Sequence, residues 1–227
     1  MPDATASTSG RRRRSTEGHR RTPLTRGVIV TAAITLIERD GPDALTMRRL
    51  GRRLGVEAMA LYHHFASRDE LVTAIADHLL ARLDDLPPAD DWTQACRRFA
   101  VALRDLAVGH PATFRLVGLQ PFDSPSALRP VERLLQVLVG QGFSPARALA
   151  VYRAIVSYAR GYALAEATGF TVDATHPSGR RHLTALASDE FPILAGRAEE
   201  LTGLAADDAY ALGLDAMLRG LGSSGKR

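Results

Sequence analysis

The chain has one cysteine, Cys96, one lysine, Lys226, and no apolar run near the roughly 20 residues that a membrane-spanning helix needs. A single cysteine excludes an internal disulfide and the stapled scaffolds of small secreted domains. The longest apolar stretches are interrupted, as Leu134 to Val139 is by Gln136, so no membrane association is expected. A secretory signal needs an apolar segment after its basic residues, yet Arg11 to Arg14 is followed by Ser15, Thr16, Glu17 and Gly18. The protein is therefore expected to stay in the cytoplasm. What is present is ordinary: 227 residues, 45% hydrophobic and 24% charged, enough for one large domain or two small ones. Wholesale disorder and collagen-like repeats are excluded.

The formal net charge of +4 hides an asymmetry. Residues 1 to 68 carry 13 arginines and 6 acids, whereas the rest carry 16 basic and 19 acidic groups. Positive charge gathered in the first third favours a polyanion-binding module joined to a neutral or acidic one. A GC-rich genome would explain arginine in place of lysine, but not the asymmetry.

Residues 1 to 22, rich in Ser, Thr, Gly and Arg, have almost nothing to bury and read as a disordered basic tail. Helical period follows. Leu24, Val28, Ala32 and Leu36, flanked by Ile29, Ala33 and Ile37, form one stripe, stopped at Gly41-Pro42. Short helices fit Thr46 to Leu54 and Glu57 to His64. Ser67-Arg68-Asp69-Glu70 has the spacing of a capping box ahead of a longer helix carrying Leu71, Val72, Ile75, Ala76, Leu79, Leu80 and Leu83. After Pro87-Pro88 the period resumes with Trp92, Ala95, Cys96, Phe99, Leu103 and Leu106, and further helices fit 111–117, 126–141, 145–168, 189–201 and 206–220. The segment from Gly169 to about Ser188 reads as a long loop. The expected fold is all-α, with nine or ten helices and no internal repeat.

Leu45 to Phe65 holds the strongest signal, two short helices joined at Gly55, the geometry by which a helix-turn-helix offers its second helix to the major groove. Leu45, Leu50, Leu54, Val56 and Leu61 would pack inward. That leaves Arg48, Arg49, Arg52, Arg53, Ala58, Met59, His63, His64 and Arg68 outside.

Thr46-Met47-Arg48-Arg49-Leu50, Leu54-Gly55-Val56, Leu61-Tyr62-His63-His64-Phe65 and Arg68-Asp69-Glu70-Leu71 together resemble the DNA-binding domain of TetR-family repressors. Glu132 through Gly142-Phe143-Ser144, Tyr152 to Glu166 and Gly213-Leu214 to Arg219-Gly220 resemble the C-terminal domain of the tetracycline repressor subgroup. The resemblance implies a basic tail over 1–22, a three-helix helix-turn-helix domain over 23–68, and a helical ligand-binding and dimerisation domain over 69–227. By it, Thr46, Tyr62, His64 and Arg68 would hold phosphates of double-stranded operator DNA, while Arg48, Met59 and His63 would face bases. Two positions depart from the family. Gly51 stands where alanine is usual and should weaken its helix by about 1 kcal/mol. Glu57-Ala58-Met59-Ala60 lacks the Ser, Thr or Gln that often reads bases there, so Arg48 becomes the best candidate for specificity.

Tetracycline repressors hold a magnesium-bound drug through a histidine ahead of the turn into the 126–141 helix. Phe114 to Phe122 contains none, so neither a metal nor another cofactor is expected. His110, beside Pro111, is expected to cap a helix. Phe99, Leu103, Phe114, Leu116, Phe122, Val139 and Tyr158, with Arg115 and Gln120 as polar anchors, form the expected ligand set and suit a small lipophilic or aromatic effector. Helix 145–168 is apolar nearly all round, and Tyr210, Leu214, Met217 and Leu218 offer a matching stripe, so a four-helix homodimer interface is expected there.

Enzyme signals fail on context. Gly220 to Lys226 mimics a phosphate-binding loop, but a helix precedes it where a strand is required. Cys96 lies on an apolar stripe, and adjacent His63 and His64 lack the spacing of a helical metal pair. Two rivals stand beside the regulator: a sequence-independent nucleic-acid binder using the basic tail, and an enzyme. For the tail itself, minor-groove insertion, plain phosphate attraction and a dispensable solvated segment all remain open.

Overall fold

Six helices begin at a Ser, Thr or Asp whose side chain accepts a hydrogen bond from the backbone N–H three residues on. These are Thr25 (3.3 Å), Thr46 (3.2 Å), Ser67 (3.0 Å), Asp91 (2.8 Å), Ser124 (3.1 Å) and Ser144 (3.4 Å). Each satisfies an amide that the helix leaves without a partner, which is why these residues mark the boundaries. The computed structural model describes residues 23–118, 120, 124–168, 181, 183–203 and 205–223. Its helices are α1 (Arg26–Asp40), α2 (Met47–Leu54), α3 (Ala58–Tyr62), α4 (Arg68–Leu80), α5 (Trp92–Gly109), α6 (Pro111–Val117), α7 (Pro125–Gly140), α8 (Pro145–Thr168), α9 (Ala198–Leu201) and α10 (Ala206–Ser223). Short 3-10 segments cover Pro42–Ala44 and Ala81–Asp85, the latter prolonging α4. Among the described residues there is no strand, and no helix is long and apolar enough to cross a membrane.

Two apolar cores divide the chain. The first gathers Ile29, Ala33, Ile37, Leu45, Leu50, Leu61 and Phe65 with the inner face of α4 as far as Leu79, and takes Val117 from α6. The second begins at Leu80 and joins α5, α7, α8 and α10. α4 thus serves both, one end in each. α6 is the other shared element, touching α1 and α4 on one side and α5 and α8 on the other.

Several expectations shift. The buried face of α1 is Ile29, Val30, Ala33, Ile34, Leu36 and Ile37, while Val28 and Ala32 are only half-buried. Both phases of that helix are apolar, and packing chose the one richer in large branched side chains. The helix expected over 189–201 is confined to Ala198–Leu201, preceded by turns. Pro192 interrupts the segment, and Ile193 and Leu194 stay exposed with no face to bury. Most of the expected loop from Gly169 to Ser188 lies outside the described residues. The dimer stripe also needs correction. Tyr210, Leu214 and Leu218 are buried within this chain's own core, as are Val151, Ile155, Val156 and Ala159 of α8, so α5 and α7 absorb most of the apolar surplus.

Candidate functional site

α2 ends on Gly55 in the left-handed region at φ 68°, which reverses the chain within one residue. The reversal is tight: Val56 N–H donates to Gly51 O at 3.0 Å, and a Cβ on Gly51 would stand 2.8 Å from Val56 O. Gly51 therefore gives up helix propensity for a close approach of backbone to backbone. α3 is shorter than expected, spanning Ala58–Tyr62, so His63 and His64 lie in the turn beyond it rather than on the helix. Leu61 and Phe65, both fully buried, pin this turn to the core.

Arg26 buttresses the same turn, a role not evident from the sequence. Its guanidinium sits 4.0 Å from the Phe65 ring centroid, donates to the His64 carbonyl and pairs with Glu70 at 3.0 Å. Glu70 also accepts from Ala66 N–H at 2.6 Å, so the capping box is real, although its glutamate reaches one residue further back than the standard pattern. The Ala66 amide first, then Arg26, holds the Glu70 carboxyl below its ordinary range.

What remains outside is cationic. Arg48, Arg52 and Arg53 are exposed on α2, and among the described residues none has an ion-pair partner; Arg49 is tied to Asp40 at 2.8 Å. Met59 and Tyr62, 65% and 43% exposed, share the outer side of α3, and His63 follows them. Thr46 is exposed while its hydroxyl caps α2. His64 is half-buried, and Arg68 donates through Nε to the Leu45 carbonyl at 3.0 Å, which fixes its position beside the α2 N-terminus.

The expected ligand residues do not converge. Phe99 lines a cavity of about 460 Å³ between α5, α7 and the 3-10 extension of α4, together with Leu83, Leu86, Pro130, Leu134 and Val137. Leu103 and Phe114 are buried in the packed core, and the gap beside Phe114 holds only about 10 Å³. Arg115 points into solvent, Leu116 packs on the first core, and Val139 is 43% exposed on the far side of α7. Tyr158 donates its hydroxyl to the Tyr210 carbonyl at 2.7 Å, Gln120 is half-buried with its carbonyl accepting from Arg160, and Phe122 lies outside the described residues. The reason is the placement of α6. It bridges two cores, so neighbouring residues along it face different interiors.

His110 precedes α6 but makes no side-chain cap. Glu38 of α1 does so instead, accepting from Thr113 N–H at 2.8 Å and Ala112 N–H at 3.2 Å. Arg104 is the other unforeseen group. It is buried on α5, forked onto Glu166 at 2.7 and 2.6 Å, paired with Asp207 at 2.8 Å, and lies 4.8 Å from the Tyr210 ring centroid. An arginine in phase with Ala100, Leu103 and Ala107 was the available sequence signal. Burial pushes the Cys96 thiol up to about 12, consistent with a packing role.

Residues 29–75 match the family model for bacterial regulatory proteins of the tetR family, and residues 85–224 match the tetracyclin repressor-like C-terminal domain. The chain belongs to the TetR family. Among its relatives, an HTH-type transcriptional regulator of Saccharopolyspora erythraea is 31% identical over 176 residues, covering 76% of this chain and 74% of that protein. The tetracycline repressor protein class G of Vibrio anguillarum is 28% identical, covering 88% and 94%. The Streptomyces coelicolor TetR-family protein ActR, solved in complex with (S)-DNPA, superposes with a TM-score of 0.73 at 26% identity, covering 90% of this chain and all of that one.

This TetR-family chain is thus a DNA-binding transcription regulator and not an enzyme. Its two units are joined by three physical ties. α4 runs through both cores, Glu38 caps α6, and Ser124 at the start of α7 donates to Asp77 of α4 at 2.5 Å.

Proposed function

We propose that this TetR-family regulator acts as a homodimer on a double-stranded operator, most simply as a repressor, and is released when a small lipophilic or aromatic molecule enters its C-terminal unit. Two α3 helices must sit about one DNA turn apart to enter successive major grooves. A ligand that prefers another separation lowers operator affinity by the ratio of its affinities for the two states. The observation that carries this reading is α4. It is built into the core behind α3 at one end, and its 3-10 extension walls the 460 Å³ cavity at the other. Ligand complexes of relatives such as ActR support the same reading.

On the DNA side, Arg48, Met59 and His63 face bases, and Thr46, Tyr62, His64 and Arg68 hold phosphates. Arg11 to Arg14, Arg20 and Arg21 add phosphate attraction from the tail. On the dimer side, the faces of α8 and α10 left outside the core carry Ala150, Ser157 and Gly161, and Ala211, Leu212 and Ala216, which allow two helix pairs to approach closely.

Mapping the sites occupied on the genome of origin, then measuring affinity for one such site by fluorescence anisotropy, tests the reading. A discrete operator bound by a dimer, with affinity falling steeply as salt rises, is expected. Equal affinity for random duplex, or a 24.5 kDa monomer in sedimentation at micromolar concentration, would overturn it.

A further inference from the structure

The cavity beside Phe99 is lined by apolar side chains and by three charged ones. Leu83, Leu86, Phe99, Pro130, Leu134 and Val137 form the walls, and the charged groups lining it are Arg98, Arg133 and Asp84. Two cations against one carboxylate leave the lining net positive.

None of the three is well matched. Arg98 donates to the carbonyls of Pro87, at 3.1 Å, and Pro88, and among the described residues it has no carboxylate partner. Arg133 donates to the Asp84 carbonyl, and its Nε lies 3.5 Å from Asp84 Oδ1, too far for a strong hydrogen bond. Asp84 Oδ1 is buried and accepts no hydrogen bond. A guanidinium presents a planar fork suited to a carboxylate or sulfonate, and two of them lining a mainly apolar cleft describe a receptor for one chemical class.

Resting on the regulator reading above, we infer that the effector of this chain is an amphipathic organic anion. Its flat or aliphatic body fills the cleft, and its acid group is received by Arg133 and Arg98 in competition with Asp84. Asp84 lies on the 3-10 extension of α4, so an anion that draws Arg133 away removes a tie between α7 and the end of α4. The change then travels along α4 to the DNA-binding core.

The test uses two fluorescent probes of closely similar apolar body, 8-anilinonaphthalene-1-sulfonate and uncharged N-phenyl-1-naphthylamine, titrated into the full-length protein. One sulfonate per chain is expected, bound about tenfold tighter than the neutral probe. The double variant R98M/R133M should erase that preference and leave the neutral probe within about twofold. Ala95→Trp, which fills the cleft, should abolish both, as Ala95 lines it. Asp84→Asn removes the competitor and should tighten the sulfonate roughly threefold or more, a gain that general damage to the fold does not produce.

Equal affinity for the two probes in the unaltered protein would overturn the inference. So would sulfonate binding unchanged in R98M/R133M, or both probes surviving Ala95→Trp. Operator binding measured without probe separates the two claims. A chain that selects the sulfonate but ignores operator DNA refutes the regulator reading alone, and one that binds operator without selecting anions refutes the ligand class alone.

Discussion

Three arginines of α2 and one each of α5 and α8 share one side chain and meet opposite fates. Arg48, Arg52 and Arg53 stand exposed without an ion-pair partner among the described residues, on a surface whose opposite side is solid core. Arg104 is turned inward onto Glu166, Asp207 and two tyrosine rings, and half-buried Arg160 donates to the carbonyls of Gly118, at 2.8 Å, and Gln120, at 3.1 Å. The difference teaches that the charge asymmetry along the chain works through placement. Free guanidiniums in the first third are available to a polyanion. Arg104 and Arg160, deeper in the chain, hold helices together and offer DNA nothing.

The largest effect that breaks this contrast should come from Arg104→Met, which leaves Glu166, only 14% exposed, without its partner. A loss of about 3 kcal/mol in urea unfolding is expected, since removing one side of a buried pair strands the other. The same replacement at Arg48 should leave stability within about 0.5 kcal/mol.

On DNA the order reverses. Arg48→Ala should cost about 1 to 3 kcal/mol in operator affinity and relax sequence preference, whereas Arg68→Ala should weaken operator and random duplex alike. Anisotropy on matched duplexes checks both, and unchanged binding in the two variants would refute the proposed docking.

Smaller still is Glu38→Ala. It removes the acceptor at the start of α6 and should cost about 1 kcal/mol in stability. It should also reduce the shift in operator affinity that a ligand produces, because one of the ties between the units is gone.

The smallest effect is a pH dependence. The Ala66 amide and Arg26 hold the Glu70 carboxyl low, so its stabilising contribution is complete above the ordinary glutamate range. That contribution is lost as pH falls through the depressed folded value. Glu70→Gln should therefore lower stability at neutral pH, flatten the acid side of the profile and converge with the unaltered protein at low pH.

How much of this was legible depended on the range of the signal. The cap at Ser67, the turn at Gly55 and the face of α4 from Leu71 to Leu80 act between residues a few positions apart, so spacing alone located them, whereas the cap at Thr46 emerged only from the structure. The expected roles of Arg48, Met59 and His63 at bases came from the resemblance to TetR-family repressors, while their place outside the helix-turn-helix core followed from the same local rules. The candidate ligand set fared differently. Of its eight described residues only Phe99 lines the 460 Å³ cavity, whose charged groups, Arg98, Arg133 and Asp84, come from separate segments of the chain. Nothing in the local pattern of α6 told that Leu116 would face one core and Phe114 the other.

The sequence by itself determined the all-helical class, most of the helices, the helix-turn-helix and the concentration of positive charge in the first third, because capping, turn chemistry and amphipathic period are properties of short windows. Tertiary structure alone decided which apolar phase of α1 is buried, that α8 and α10 spend their stripes on their own core, that Glu38 rather than His110 caps α6, and that an unfilled space remains between α5 and α7. Those outcomes depend on how distant surfaces compete for the same neighbours, and that competition is settled only when all the helices are packed at once.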